Sequence, residues 1–146
     1  MNTVSDGVWQ WLGGCEAAGD LFFGFARAAP GDTLLLPLSC GSDTELKRFI
    51  DGSSERRSVF SLTRIAPAGD APGDETNLAA LSEAEALARW IRARRAAGAL
   101  PELPPGCRAF DVYPLDVGGG VFRADGESRA RYTFSFCVEY VKDREA

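Results

Sequence analysis

The residues best suited to chemistry lie in KRFIDGSSERRSVFSLTRI, positions 47–65, where Arg56 and Arg57 follow a polar centre, Asp51-Gly52-Ser53-Ser54. Guanidinium forks and hydroxyls beside glycine are the groups that hold phosphate or carboxylate oxygens. A phosphate loop, however, needs a helix opening directly after its glycine. Here an alternating arm follows instead, with Phe60 and Leu62 on one side and Val59, Ser61 and Thr63 on the other. Asp-Gly between two such arms reads as the tight turn of a β-hairpin, because glycine tolerates the positive φ the turn requires. A second cationic group, Arg89, Arg92, Arg94 and Arg95, sits toward the end of a helical segment. Cations there complement the helix dipole by a few tenths up to roughly 1 kcal/mol. Its second reading is an anion-facing or subunit-facing patch.

Other combinations carry less. Gly118-Gly119-Gly120 lacks a following Lys-Ser/Thr and opens no helix, so it reads as a strand entry. Asp70, Asp74 and Glu75 lack the ligand alternation of a calcium loop and read as a solvated linker. Asp111 and Asp116 are carboxylates that nothing in their spacing selects for acid–base work. The four cysteines, Cys15, Cys40, Cys107 and Cys137, form no CxxC pair and read as reduced, mostly buried thiols. Histidine is absent, which removes the usual general base, triad partner and metal ligand. No catalytic, metal or cofactor site is expected. A formal net charge of −5 argues against general nucleic-acid binding and against docking on an anionic membrane. No segment approaches the roughly 18 apolar residues of a membrane span. The N-terminus has no basic region, so it reads as no secretory signal and the protein as soluble and cytoplasmic.

These groups need elements to hold them. Ser5 or Asp6 is placed to cap a short helix with Val8, Trp9 and Leu12 on one side, ended by Gly13-Gly14. Asp20 to Ala26 reads as a strand or buried turn, and Pro30-Gly31-Asp32 as a turn. TLLLPLSC then reads as a strand, which Pro37 moves to an edge or a bulge. Ala66 to Asn77 reads as a mobile connection. Leu78 to Ala97 is the one long helix, with a stripe of Leu81, Leu87, Ala88 and Ile91, Trp90 at its edge and Gly98 at its end. Ser82 and Glu85 have capping-box spacing and offer a second, later start for the regular helix. Leu100 to Gly106 is a proline-rich connector, and Cys107 to Leu115 a strand. Asp125-Gly126 marks a second hairpin turn before the strongest strand, which carries Tyr132, Phe134, Phe136, Val138 and Tyr140 on one face. The expected fold is α+β: one domain over residues 1–146, a mostly antiparallel or mixed sheet, one long helix and a short N-terminal helix.

Four stretches in order, VWQWLGGC (8–15), FIDGSSERRSVFSL (49–62), ARWIRARRAAGALPELPPG (88–106) and ARYTFSFCVEYV (130–141), span nearly the whole chain. As a set they resemble the small minor capsid or tail terminator-like proteins encoded in the head–tail joining region of long-tailed bacteriophages and prophages. Proline is common in that family after the early cysteine, where this chain has Glu16. The resemblance implies a tail terminator: an α+β protein closing into a ring, typically a hexamer, on the finished tail tube and presenting a surface to the head connector. It implies no reaction and no cofactor. It also implies a place in the virion after synthesis in a bacterial cytoplasm, with the tube protein, the connector and further copies of itself as partners, and no sequence-specific nucleic acid. Another neck or minor tail component is the alternative within that setting, and a ligand-binding or enzymatic α+β domain the alternative outside it. A closing ring needs two different complementary patches on each protomer. Asp51, Ser53, Ser54, Arg56, Arg57, Arg92 and Arg95 are the candidate subunit-interface residues.

Overall fold

The computed structural model describes residues 3–23, 32–37, 43–67, 75–116, 121–123 and 129–144. The first helix, α1 (Val4–Leu12), opens on a capping box: the Asp6 amide donates to the Thr3 hydroxyl at 3.1 Å, and the Thr3 amide to the Asp6 carboxylate at 3.0 Å. The cap is therefore Thr3 rather than Ser5 or Asp6. Val4, Val8 and Leu12, spaced four apart, face the core, which turns Trp9 to solvent. Trp11 packs inward instead: its Nε1 donates to the Ala99 carbonyl at 2.8 Å and its ring lies 4.8 Å from that of Trp90. At Gly7 the helix crosses the proline-rich connector so closely that a Cβ would run into the Glu102 carbonyl.

The sheet is built on two long strands, β4 (Ser54–Pro67) and β7 (Arg129–Lys142), paired antiparallel from Ser54↔Lys142 to Pro67↔Arg129 without a break. Each is longer than its outer neighbours, so its other edge is shared by two strands. β3 (Thr44–Arg48) and β2 (Asp32–Pro37) divide the free edge of β4, and β5 (Cys107–Asp116) and β6 (Val121–Arg123) that of β7. β1 (Asp20–Phe23) joins β2 in the one parallel pairing among the described strands. The main order is β1-β2-β4-β7-β5. β2 is thus an inner strand, although Pro37 suggested an edge. The register with β1 stops at Leu35 while that with β4 runs on to Pro37, so at Pro37 itself the strand is paired on one side only, as at an edge.

One sheet face carries the core. Phe60 and Leu62 of β4, Phe134, Phe136 and Val138 of β7 and Val112 of β5 are buried there against Val8 and Leu12 of α1. The second helix, α2 (Glu75–Ala97), adds Leu87, Ala88 and Ile91 to the same cluster. Gly98, at φ +70°, ends it in the left-handed conformation that glycine adopts freely. The helix begins upstream of Ser82, because Leu78-Ala79-Ala80 are strong helix formers and carry the helix back past that position. The protein is therefore α+β: among the described residues, an antiparallel sheet extended by one parallel pair, and two α-helices. β4 reaches Pro67 and α2 starts at Glu75, so regular elements take both ends of the 66–77 interval, and positions 68–74 lie outside the described residues. Pro30-Gly31, Cys40, Asp70, Asp74, Gly118 to Gly120 and Asp125-Gly126 lie outside them too, as do the side chains of Glu75, Leu81, Asp116 and Tyr132. No helix among the described residues is long and apolar enough to cross a membrane.

Candidate functional site

The Asp-Gly stretch is the turn of the β3–β4 hairpin. Phe49 N–H donates to the Ser53 carbonyl at 2.9 Å, Gly52 N–H to the Phe49 carbonyl at 3.0 Å, and Gly52 sits at φ +93°. Asp51 Oδ1 accepts from both the amide and the hydroxyl of Ser53, at 2.9 and 2.6 Å, and these bonds hold its carboxyl below the usual carboxylate range. Three apolar side chains stand on this hairpin in solvent: Leu46, Phe49 and Ile50, the last fully exposed at the tip. β3 is an edge strand with a register shift between Glu45 and Lys47 and a charged sequence, TELKR. Both features discourage strand-to-strand extension.

The arginines of the hairpin face opposite sides of the sheet. Arg56 is held by its own hairpin: its Nε donates to the buried Ser54 hydroxyl at 2.9 Å, and its Nη1 lies 3.3 Å from Asp43. Glu45 stands 3.8 Å from Arg56 and 2.7 Å from Arg48. Arg57 belongs to a row running straight across the other face, Arg57↔Glu139↔Asp111, on β4, β7 and β5. Its Nη2 lies 3.2 Å from Glu139 Oε1, which also accepts the Tyr113 hydroxyl at 2.8 Å. Arg95 reaches from α2 to the edge strand β5 and binds Asp111 through two bonds, Nε–Oδ1 at 2.7 Å and Nη2–Oδ2 at 3.1 Å, with its guanidinium 5.1 Å over the Tyr113 ring. Of the seven candidate interface residues, Asp51 and Ser53 are thus at the turn, and Ser54 and Arg56 lie on the helix-covered side of the sheet. Arg57 and Arg95 meet in one network on the opposite side. Arg92 is exposed on α2.

Besides its place near the helix end, Arg95 has a direct partner in Asp111. Glu139 and Tyr113 were missed. The period-2 pattern of the final strand puts Glu139 on the less buried face, but only the inter-strand register pairs it with Arg57.

The Tyr113 hydroxyl and the nearby thiols hold their protons. A hydrogen bond with Cys137, burial and the bond to Glu139 push the Tyr113 hydroxyl well above its ordinary range. Burial pushes the Cys137 thiol up despite Tyr113 and Arg57, and does the same to half-buried Cys107. At neutral pH these thiols are protonated, and they act as small apolar side chains rather than nucleophiles. Among the described residues no three His, Cys, Asp or Glu side chains converge as metal ligands. The geometry is that of a cross-braced sheet with an apolar hairpin tip. No protein-family model matches the chain, and no curated protein matches it in sequence.

Proposed function

We propose that the chain is a self-assembling structural protein, a tail terminator-like component that closes into a ring on a phage tail tube and presents a face to the head connector. The reading assigns it no reaction, cofactor or metal. The observation that carries it is the distribution of exposed apolar side chains over the two edges of one end of the sheet. Here four strands lie side by side in the order β3-β4-β7-β5, through the row Arg48↔Ser54↔Lys142↔Cys107. The β3 edge carries Leu46, Phe49 and Ile50; on the β5 edge Phe110 stands at the same level, and Leu115 lies farther along that edge, beside the Pro114↔Phe136 pair. These are two different patches on opposite sides of the protomer, which is what a head-to-tail closing contact requires.

Both edges are poor partners for backbone pairing. β3 has its register shift and charges, and β5 has shifts between Ala109 and Asp111 and between Pro114 and Asp116. Contact between neighbours is therefore made by side chains. The paired arginines stiffen the sheet that presents those side chains, rather than meeting the neighbouring subunit themselves. Deleting the gene from its phage and complementing it in trans tests the reading. The expected outcome is loss of finished, head-joined tails, restored by the wild-type chain. Normal tails without it would overturn the assignment.

A further inference from the structure

A second feature of the hairpin has nothing to do with its apolar tip. Where the sheet runs past its helices, a cavity of about 320 Å3 opens on the helix-covered face. Its floor follows from the register: Arg48, Ser54 and Lys142 are direct neighbours across β3, β4 and β7, so their side chains share one face, and Arg56 joins them two residues along β4. Arg144, just beyond β7, closes the rim. Its aliphatic stem lies against the hairpin turn, where a Cβ on Gly52 would come within 3.0 Å of Arg144 Cγ. Glycine at position 52 thus serves two purposes, the positive φ of the turn and the room for this arginine.

Four cations and one acid, Asp143, line the cavity. The lining is +3 in a chain whose formal charge is −5, leaving −8 on the rest. Asp43 and Glu45, which hold Arg56 and Arg48, lie outside the lining; Asp51 is bound into the turn by Ser53. These acids moderate the field but also fix the guanidinium planes. Arg56 is held from two sides, by Ser54 and Asp43, before any ligand arrives. Preset guanidinium forks around a buried hydroxyl match the geometry of carboxylate and phosphate oxygens. The volume is at the small end of ligand pockets, about 300 to 1,000 Å3, which suits one oxyanion group rather than a nucleotide.

We propose that this pocket, formed by Arg48, Ser54, Arg56, Lys142 and Arg144, binds an oxyanion, either a free phosphate-type ion or a carboxylate presented by a second copy of the chain. The proposal stands independently of the assembly reading. An amide-resolved NMR titration with sodium phosphate, against sodium chloride at matched ionic strength, tests it. Saturable shifts are expected at Gly52, Ser53, Ser54 and Lys142 to Arg144. Arg144→Gln and Arg48→Gln, both at exposed positions, are each expected to weaken phosphate about five- to tenfold while leaving the rest of the spectrum in place. A dilution series without phosphate separates the sources. Concentration-dependent shifts at the same amides, reversed by phosphate, identify a neighbour's carboxylate, and their absence identifies a free anion. Linear shifts no larger than those with chloride, or unchanged affinity in both variants, would overturn the proposal. Tail assembly in the phage does not enter this readout, so either idea can fail without the other.

Discussion

Replacing Ile50 with aspartate separates assembly from folding more cleanly than any arginine substitution. Ile50 is fully exposed at the hairpin tip, and its backbone neighbours are held by the Phe49–Ser53 and Gly52–Phe49 bonds, which the side chain does not touch. The folded protomer should therefore tolerate the change within about 0.5 kcal/mol, the usual range for a surface substitution. If the tip is buried against a neighbour, the loss is different in kind. Burying an isoleucine side chain is worth about 1.5–3 kcal/mol, and a carboxylate in its place must also be desolvated. A loss of about 2 kcal/mol weakens each contact by roughly thirtyfold, and every contact in a closed ring carries the same loss. The assay pairs urea unfolding of Ile50→Asp with electron-microscopic counts of ring-bearing tube ends at a fixed protein concentration. Unchanged unfolding with few capped tubes is expected. Capping at wild-type levels would mean that the tip faces solvent in the assembly too and is no subunit contact. Arg57→Glu is a poorer probe: it sets a carboxylate beside Glu139 in the sheet row and destabilises the protomer itself.

Three further outcomes follow from the packing and the proton balance. Gly7→Ala should cost about 1–3 kcal/mol in a denaturant titration, because a Cβ there drives α1 off the Glu102 carbonyl; a neutral result would mean the helix and connector are not in contact. A double-mutant cycle on Arg57 and Glu139 should give a coupling of about 0.5–1 kcal/mol, since Arg57 is 38% exposed and the pair is partly screened; coupling indistinguishable from zero would remove the pair as a brace. Stability should fall in strongly alkaline solution. Cys107, Cys137, Tyr113 and Tyr140 all have folded pKa values above their ordinary 9.0 or 10.0. Their contribution is complete below those ordinary values and is lost as pH rises through the folded ones. The slope is up to about 1.4 kcal/mol per pH unit for each group, and a flat profile from pH 8 to 11 would contradict the burial assigned to them.

What could be read in the sequence was whatever one element decides by itself. The alternation Phe134, Phe136, Val138, Tyr140 fixed the buried face of β7, and Asp51-Gly52 fixed a turn, because both depend only on local geometry. Boundaries set by competition were harder. Ser82 has the spacing of a cap, yet the helix-forming residues upstream outweigh it, and Thr3 rather than Ser5 caps α1 through a bond to Asp6. The position of β2 inside the sheet, and the meeting of Arg57, Glu139, Tyr113, Arg95 and Asp111, depend on register between strands far apart in the chain. No single-strand periodicity carries that information. The basic cavity was hidden for the same reason: Arg48, Ser54 and Lys142 become neighbours only when β3, β4 and β7 align.

We propose that the protomer closes on copies of itself at the end of a tail tube, through side chains on opposite edges of its sheet. Purified protein mixed with isolated tail tubes and viewed by negative-stain electron microscopy tests it most directly. Rings at one end of the tubes are expected with the wild-type chain, and few with Ile50→Asp. Bare tube ends at saturating wild-type protein would contradict it.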